Sequence, residues 1–133
     1  MNVTFDTNVL ISATQWNNSV SHKLLLLLVE KEISIFTTES ILEEFSEVLC
    51  RSFRYSKEEA TELVEILLGF LHVIQPVVSL QVVIRDPDDD KILECAVSSH
   101  SEFIVTYDKD LLDFKNFQGI KILKPDEFLR LLS

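Results

Sequence analysis

The sequence of 133 residues has only two glycines, three prolines and two cysteines. So little glycine and proline leaves no room for a long linker or a low-complexity tract, and we therefore expect a single domain spanning residues 1–133. The two cysteines, Cys50 and Cys95, are too few for a disulfide scaffold and lack the spacing of metal ligands. We expect both to be buried and reduced, as in a cytoplasmic protein.

A long apolar segment is also missing. The longest apolar run covers residues 24–29, far short of the roughly 18 residues that a membrane span needs. The N-terminus has no basic region before an apolar stretch, which argues against a secretory signal. We therefore expect no association with a membrane.

Basic residues are scarce: 12 lysines and arginines face 22 aspartates and glutamates, and the net charge is −10. This balance disfavours nonspecific binding to phosphate backbones, which depends on lysine and arginine. It favours the binding of divalent cations or of a basic partner.

The hydrophobic pattern predicts strands that alternate with helices. Strands are predicted at residues 2–6, 32–38, 73–78, 102–108 and 120–123, with a further short strand at 81–84. Helices are predicted at residues 21–31, 39–53, 57–71, 91–100 and 111–114, and from Pro125 onwards. This alternation favours an α/β fold, a three-layer α/β/α sandwich with a mainly parallel central sheet.

Several of these helices carry recognisable start signals. Thr38 is a suitable N-cap, Ser56 and Glu59 have the spacing of a capping box, and Pro125 suits the first position of the last helix. Asp86 and Asp88 are interpreted as a solvated turn and cap ahead of the helix that begins near residue 90.

Three polar residues, Asp6-Thr7-Asn8, interrupt the apolar stretch "FDTNVLIS" at residues 5–12. They either cap the element that follows or form the floor of a site. Asp6 ends the first predicted strand, and Asp108 ends the strand that contains "FIVT". Because ligand sites of parallel sheets lie outside the carboxyl ends of the strands, both carboxylates are expected in one crevice.

Two further acids are candidates for the same crevice. Asp90 lies where an apolar helix begins, and Glu44 falls at the edge of the apolar stripe of its helix, whereas Glu43 and Glu47 fall nearly opposite. Glu44 could instead be an ordinary exposed charge. Four carboxylates in one place repel each other unless a cation lies between them, and Mg²⁺ or Mn²⁺ prefers oxygen ligands. Such an ion supports phosphodiester hydrolysis without a catalytic histidine or cysteine.

Four stretches in order along the chain resemble PIN (PilT N-terminal) domains, and in particular the toxin components of toxin–antitoxin systems: "FDTNVLIS", "SILEEFSEVL", "DPDDDKILECAV" and "FIVTYDKDLL". The resemblance implies an α/β/α fold and Mg²⁺- or Mn²⁺-dependent cleavage of single-stranded RNA. It also implies a cognate antitoxin and a homodimer. The alternative is a PIN-like scaffold or RNA-binding module without catalytic activity.

The resemblance assigns the four acids to Asp6, Glu44, Asp90 and Asp108. Asp90 lies 18 residues before Asp108, which is the usual spacing in the family. Helical phase favours Asp89, so Asp89 is kept as the alternative to Asp90. Asn8 and Thr106 match positions that support the carboxylates, and Asp110 is a further acid nearby.

Four other residues carry expectations of their own. Lys91 and Lys109 could steer a phosphate backbone. Trp16 lies in a loop or at a helix end and is expected to pack against the rest of the chain, with packing against a partner or stacking on a base as the alternatives. Tyr107 stands where relatives often have a smaller or basic residue, so that it could narrow access to the site.

Overall fold

A computed structural model describes residues 1–80 and 89–133. The strand predicted at 81–84 and the turn acids Asp86 and Asp88 lie outside the described residues. None of the helices within the described ranges is long and apolar enough to cross a membrane.

The described residues form six strands and seven helices. The strands are β1 (Asn2–Phe5), β2 (Ser34–Thr37), β3 (Leu71–Val73), β4 (Phe103–Val105), β5 (Asn116–Phe117) and β6 (Ile120–Leu123). The helices are α1 (Thr7–Gln15), α2 (Val20–Glu30), α3 (Glu39–Ser52), α4 (Lys57–Leu67), α5 (Asp90–Ser98), α6 (Lys109–Leu112) and α7 (Pro125–Leu132).

The strands form one sheet in the order β3-β2-β1-β4-β6-β5. Neighbouring strands are parallel except β5 and β6, which form an antiparallel pair at one edge. Helices cover both faces: Phe103 of β4 packs on Phe128 of α7 with ring centroids 4.8 Å apart, whereas Thr4 of β1 points to Cys95 of α5. The predicted α/β/α sandwich with a mainly parallel sheet is confirmed.

The hydrophobic core lies between the sheet and these helices. Its fully buried side chains include Val3 and Phe5 of β1, Leu10 of α1, Phe45 of α3 and Ile104 of β4. Burying apolar area of this kind is the main favourable contribution to folding. The core therefore fixes the positions of β1 and β4, the two central strands of the sheet.

The predicted helix starts are confirmed. Thr38 Oγ1 accepts a hydrogen bond from the backbone of Ile41. At α4 the capping box is complete, because Ser56 Oγ accepts from Glu59 N at 3.1 Å and Glu59 Oε1 accepts from Ser56 N at 2.9 Å. Pro125 occupies the first turn of α7.

The predictions around β3 and β5 were less accurate. Helix α4 ends at Leu67, earlier than predicted, and β3 covers Leu71–Val73 rather than 73–78. The reason is its partner: β2 ends at Thr37, which pairs with Val73 and accepts the last backbone hydrogen bond of this pair, from Ile74 N at 3.0 Å. Strand β5 was not predicted. It pairs with β6 through a tight turn in which Gln118 and Gly119 both have positive φ.

The expectation that both cysteines are buried is wrong for Cys50. Cys95 is buried on α5, but Cys50 is exposed on α3. Leu49 belongs to the buried stripe of α3, and the next residue lies about 100° further round the helix.

Candidate functional site

The site lies where the direction of the chain through the sheet reverses. From β1 the chain moves outward to β2 and β3, and it then returns to β4 on the other side of β1. Such switch points leave a crevice at the carboxyl ends of the strands. Phe5 pairs with Val105 at these ends, and the backbone N–H of Asp6 donates to Val105 O at 3.0 Å. Asp6 and Thr106 are therefore neighbours.

Asp6 has two roles in the local structure. Its Oδ1 accepts from the backbone N–H of Thr7 at 2.6 Å, which makes it the N-cap of α1. Its Oδ2 accepts from Thr106 Oγ1 at 2.6 Å, across the junction of β1 and β4. The interpretation of Asp6 as a helix cap is thus confirmed, and the same carboxylate also lies at the floor of the crevice.

The loop after β4 continues this hydrogen-bonded chain. Thr106 Oγ1 accepts from the backbone N–H of Asp108 at 2.9 Å, and Asp108 Oδ1 accepts from Asp110 N at 2.9 Å and caps α6. Asn8 Oδ1 accepts from the backbone N–H of Tyr107 at 3.3 Å. Thr106 and Asn8 therefore hold the loop that carries Asp108, while Asp110 occupies the first turn of α6.

Three carboxylates meet at this point. Asp6, Asp89 and Asp108 each offer one oxygen, and the three oxygens lie within 4.8 Å of one another. Among the described acids, Asp90 and Glu44 are not part of this group. Asp89 and Asp90 are both buried at the start of α5, but successive helical residues point about 100° apart. The structure thus brings Asp89, the alternative third acid, together with Asp6 and Asp108. The expected third acid, Asp90, is not in this group.

Glu44 lies beside this group and is bound to a lysine. It is half-buried on α3, whereas Glu43 and Glu47 are exposed, as the helical phase predicts. Lys91 Nζ lies 3.0 Å from Glu44 Oε2. Lys109, the other lysine considered for phosphate steering, is exposed and pairs with Asp113.

The electrostatics of the site favour a cation. Burial raises the pKa of Asp6 to about 6, against the hydrogen bonds from Thr106 and Thr7, which lower it. The nearby carboxylates of Asp108 and Glu44 contribute to the same rise in pKa. A buried carboxylate with like charges around it is stabilised by a divalent ion. The donors are all carboxylate oxygens, so the residues fit Mg²⁺ or Mn²⁺ rather than a softer metal.

A cleft of about 460 Å³ opens above Asp6. Its lining residues come from α1, α3 and the loop after β4: Asp6, Thr7, Asn8, Ile11, Ser12, Trp16, Glu44, Val48 and Tyr107. The sequence analysis did not find the apolar part of this wall. A signal was present, because Asn8, Ser12 and Trp16 have the four-residue spacing that places side chains on one face of a helix.

The chain was compared with known protein families and relatives. A family model described as PIN domain matches residues 2–110. An uncharacterized protein of Methanocaldococcus jannaschii is 34% identical over 140 residues, which cover 96% of this chain and 88% of that protein.

Solved structures share the fold at low identity. The structure of VapBC2 from Rickettsia felis, bound to a DNA fragment from its promoter, has a TM-score of 0.68 at 19% identity, covering 92% of this chain and 97% of that one. VapBC-1 from nontypeable Haemophilus influenzae has a TM-score of 0.66 at 14% identity, covering 95% and 99%. PAE2754 from Pyrobaculum aerophilum has a TM-score of 0.57 at 18% identity, covering 98% and 88%.

Proposed function

Because the chain belongs to the PIN-domain family, we propose that it is a metal-dependent endoribonuclease that cleaves single-stranded RNA. The observation that carries this proposal is the group of three carboxylate oxygens, from Asp6, Asp89 and Asp108, within 4.8 Å of one another. The buried position of Asp6 and its raised pKa add support, since this crowding of negative charge is relieved by a cation.

In this proposal Asp6, Asp89 and Asp108 hold Mg²⁺ or Mn²⁺, with Asp90 as the alternative to Asp89. A bound ion of this kind lowers the pKa of a coordinated water and stabilises charge on the phosphate. Thr106 keeps the Asp6 carboxylate in place through its 2.6 Å hydrogen bond and holds the Asp108 backbone at 2.9 Å. Glu44 lines the same cleft as Asp6, where it would accept the proton of an attacking water.

The test uses purified protein, a single-stranded RNA and Mn²⁺. We expect wild type to cleave the RNA, and D6N and E44Q to lose at least about 100-fold in rate, the usual scale for catalytic groups. E43Q is the matched control, because Glu43 neighbours Glu44 on the same helix but is exposed. Equal cleavage by wild type and D6N would point to a contaminating nuclease. Calorimetry with Mn²⁺ gives an independent measure of the ion site.

We further propose that the protein acts as the toxin of a toxin–antitoxin pair. The sequence resemblance to toxin components supports this, as does the fold shared with VapBC proteins. The net charge of −10 suits a basic antitoxin segment. Induced expression should arrest growth, D6N should relieve the arrest, and a short basic reading frame next to the gene should encode the partner. Growth that is unaffected by wild type would contradict the toxin role.

The homodimer expected from the resemblance also stays a proposal. Exposed apolar side chains at the end of α4 and on the β3 edge offer a surface for a second copy, among them Ile66, Phe70 and Val73. Light scattering coupled to gel filtration gives the mass directly. A mass of one chain at micromolar concentration would contradict the dimer.

One observation favours the second candidate function, a scaffold or RNA-binding module without catalysis. None of the described residues that line the cleft is a lysine or an arginine. If calorimetry detects no Mn²⁺ binding by a folded protein, the scaffold function is favoured over the nuclease.

A further inference from the structure

The cleft above the carboxylates has an aromatic wall. Trp16 and Tyr107 both line it together with Asp6 and Glu44. Both rings are accessible: Trp16 is 53% exposed and Tyr107 is 44% exposed. Large apolar side chains that stay exposed beside a cluster of acids suggest a ligand that has both a flat apolar part and an ionic part.

Trp16 is held in place at the end of α1. Its backbone N–H donates to Ser12 O at 3.3 Å. Its ring meets Phe53 edge to face, with centroids 5.7 Å apart and planes at 74°. Phe53 covers no more than one face of the indole, so the ring is positioned by the protein and still available for stacking.

Tyr107 is held at two points. Its hydroxyl lies 2.7 Å from Ser21 Oγ, and its backbone N–H donates to Asn8 Oδ1. The residue stands between Thr106, which binds Asp6, and Asp108, which belongs to the carboxylate group. Its ring is therefore fixed next to the acids and loses little entropy on binding a ligand.

The described lining residues of the cleft do not include the basic side chains that usually hold a nucleic acid. Nucleic-acid affinity normally comes from lysine and arginine on phosphates, but no described lining residue is basic. Lys91, beside the cleft, already pairs with Glu44. Stacking of bases on aromatic rings needs no positive charge and works for every base.

We propose that Trp16 and Tyr107 form a nucleobase subsite, which stacks an unpaired base beside the carboxylates and so positions the neighbouring phosphate. This rests on the proposed function for bringing RNA to this cleft. A volume of about 460 Å³ lies in the range of about 300–1,000 Å³ of pockets that enclose small organic ligands. A base inside a duplex stacks on its neighbours and does not reach the rings, so the subsite selects unpaired strands.

Trp16 is the single tryptophan of the chain, which makes its fluorescence a direct probe. The D6N protein is titrated in Mg²⁺ with a short single-stranded RNA, with the same RNA as a duplex, and with an oligomer of abasic ribose phosphates. We expect the single strand to quench Trp16, and the duplex and the abasic oligomer to leave it unchanged. Binding should depend only weakly on salt, because few phosphates are neutralised.

Binding of a labelled strand to variants gives the second measurement. In the D6N background, W16A and Y107A are each expected to weaken binding by about 5- to 150-fold, the scale of one stacked base, whereas W16F and Y107F keep most of the affinity. L131A is the control, because Leu131 is a large apolar side chain that is 57% exposed and lies outside the cleft. Circular dichroism shows whether each variant folds.

The inference is overturned if W16A and Y107A bind like L131A, if the abasic oligomer quenches Trp16 fluorescence equally, or if the single strand does not bind. The same measurements distinguish failure of the nucleobase subsite from failure of the proposed nuclease function. Cleavage by wild type with unaffected binding in W16A and Y107A refutes the subsite alone. Quenching that requires bases, with no cleavage by wild type, supports the subsite and refutes the nuclease.

Discussion

The ammonium group of Lys91 lies 3.0 Å from Oε2 of Glu44, with the side chains 18% and 30% exposed. A positive charge of the chain itself is therefore in contact with one of the four acids that the sequence assigned to the metal site. Of the other three assigned acids, Asp6 and Asp108 form a group with Asp89, and Glu44 is not part of that group. The ammonium group of Lys91 therefore offsets the negative charge of Glu44 beside the carboxylate group.

The first prediction is that removing this ammonium changes how many ions bind. Wild type is expected to bind one Mn²⁺ per chain, and K91M to bind a second ion or to bind the first at least about 5-fold more tightly, because Glu44 loses its cation. Calorimetry and electron paramagnetic resonance of Mn²⁺ give stoichiometry and affinity. K109M is the control, since Lys109 is exposed and pairs with Asp113. Identical titrations of K91M and K109M would contradict a role for Lys91.

The second prediction concerns the third acid. The structure places an oxygen of Asp89, not of Asp90, near Asp6 and Asp108. We therefore expect D89N to weaken Mn²⁺ binding by at least about 10-fold, as loss of a charged ligand should, and D90N to weaken it less. The two variants have the same change of charge one residue apart. A larger loss of affinity in D90N than in D89N would mean that Asp90, and not Asp89, is the third acid of the metal site.

The part of the site that could be predicted from sequence depended on local geometry. Asp6 and Asp108 follow strands directly, and the carboxyl ends of parallel strands share one edge of a sheet, so their meeting needed only the order of the elements. The orientation of Glu44 followed from the phase of an amphipathic helix whose stripe is well defined.

The rest depends on contacts that the sequence does not encode locally. The pairing of Lys91 with Glu44 requires α3 and α5 to approach each other. The end of β3 is set by the end of its neighbour β2. For the third acid the local signal was present, because helical phase favoured Asp89, but the family spacing of 18 residues favoured Asp90, and boundaries predicted at helix starts are uncertain by a residue or two. Tyr107 was expected to narrow access to the site, but Trp16 was not placed beside it because α1 was not predicted as a helix with one face on the cleft.

The third prediction follows from the pKa of Asp6, raised to about 6 by burial. Unfolding returns this pKa to about 3.9, so the protonated side chain favours the folded state. This stabilisation is fully present below about pH 4 and is lost as the pH rises towards 6. Above that pH the ionised, buried Asp6 lowers the free energy of unfolding by about 3 kcal/mol relative to its value near pH 4. Without metal, D6N should match wild type near pH 4 and exceed its free energy of unfolding by up to that amount at pH 7.

Urea unfolding in EDTA at several pH values measures this difference. D126N is the control, because Asp126 is exposed on α7 beside Arg130, and its curve should run parallel to that of wild type. With saturating Mn²⁺ at pH 7, wild type should instead be more stable than D6N, since only wild type has the full set of carboxylates. A difference between D6N and wild type that does not vary with pH would show that Asp6 does not titrate in this range.

The fourth prediction tests Thr106 as the residue that joins Asp6 to the loop carrying Asp108. Its hydroxyl donates to Asp6 Oδ2 at 2.6 Å and accepts from Asp108 N at 2.9 Å, so T106V leaves both groups without this partner. We expect T106V to lose about 1–3 kcal/mol of stability. The hydrogen bond from Thr106 lowers the pKa of Asp6, so its loss should raise that pKa further and shift the onset of Mn²⁺ binding to higher pH.

T106S keeps the hydroxyl and removes one methyl group, and it therefore separates the hydrogen bonds from simple packing. If the hydroxyl carries the role, T106S retains the pH dependence of Mn²⁺ binding seen in wild type, even where its stability falls slightly. Calorimetry between pH 5 and pH 8 provides the comparison. A shift of equal size in T106S and T106V would mean that the Thr106 methyl group, and not its hydroxyl, positions Asp6, because a carboxylate that keeps its donor has no electrostatic reason to titrate differently.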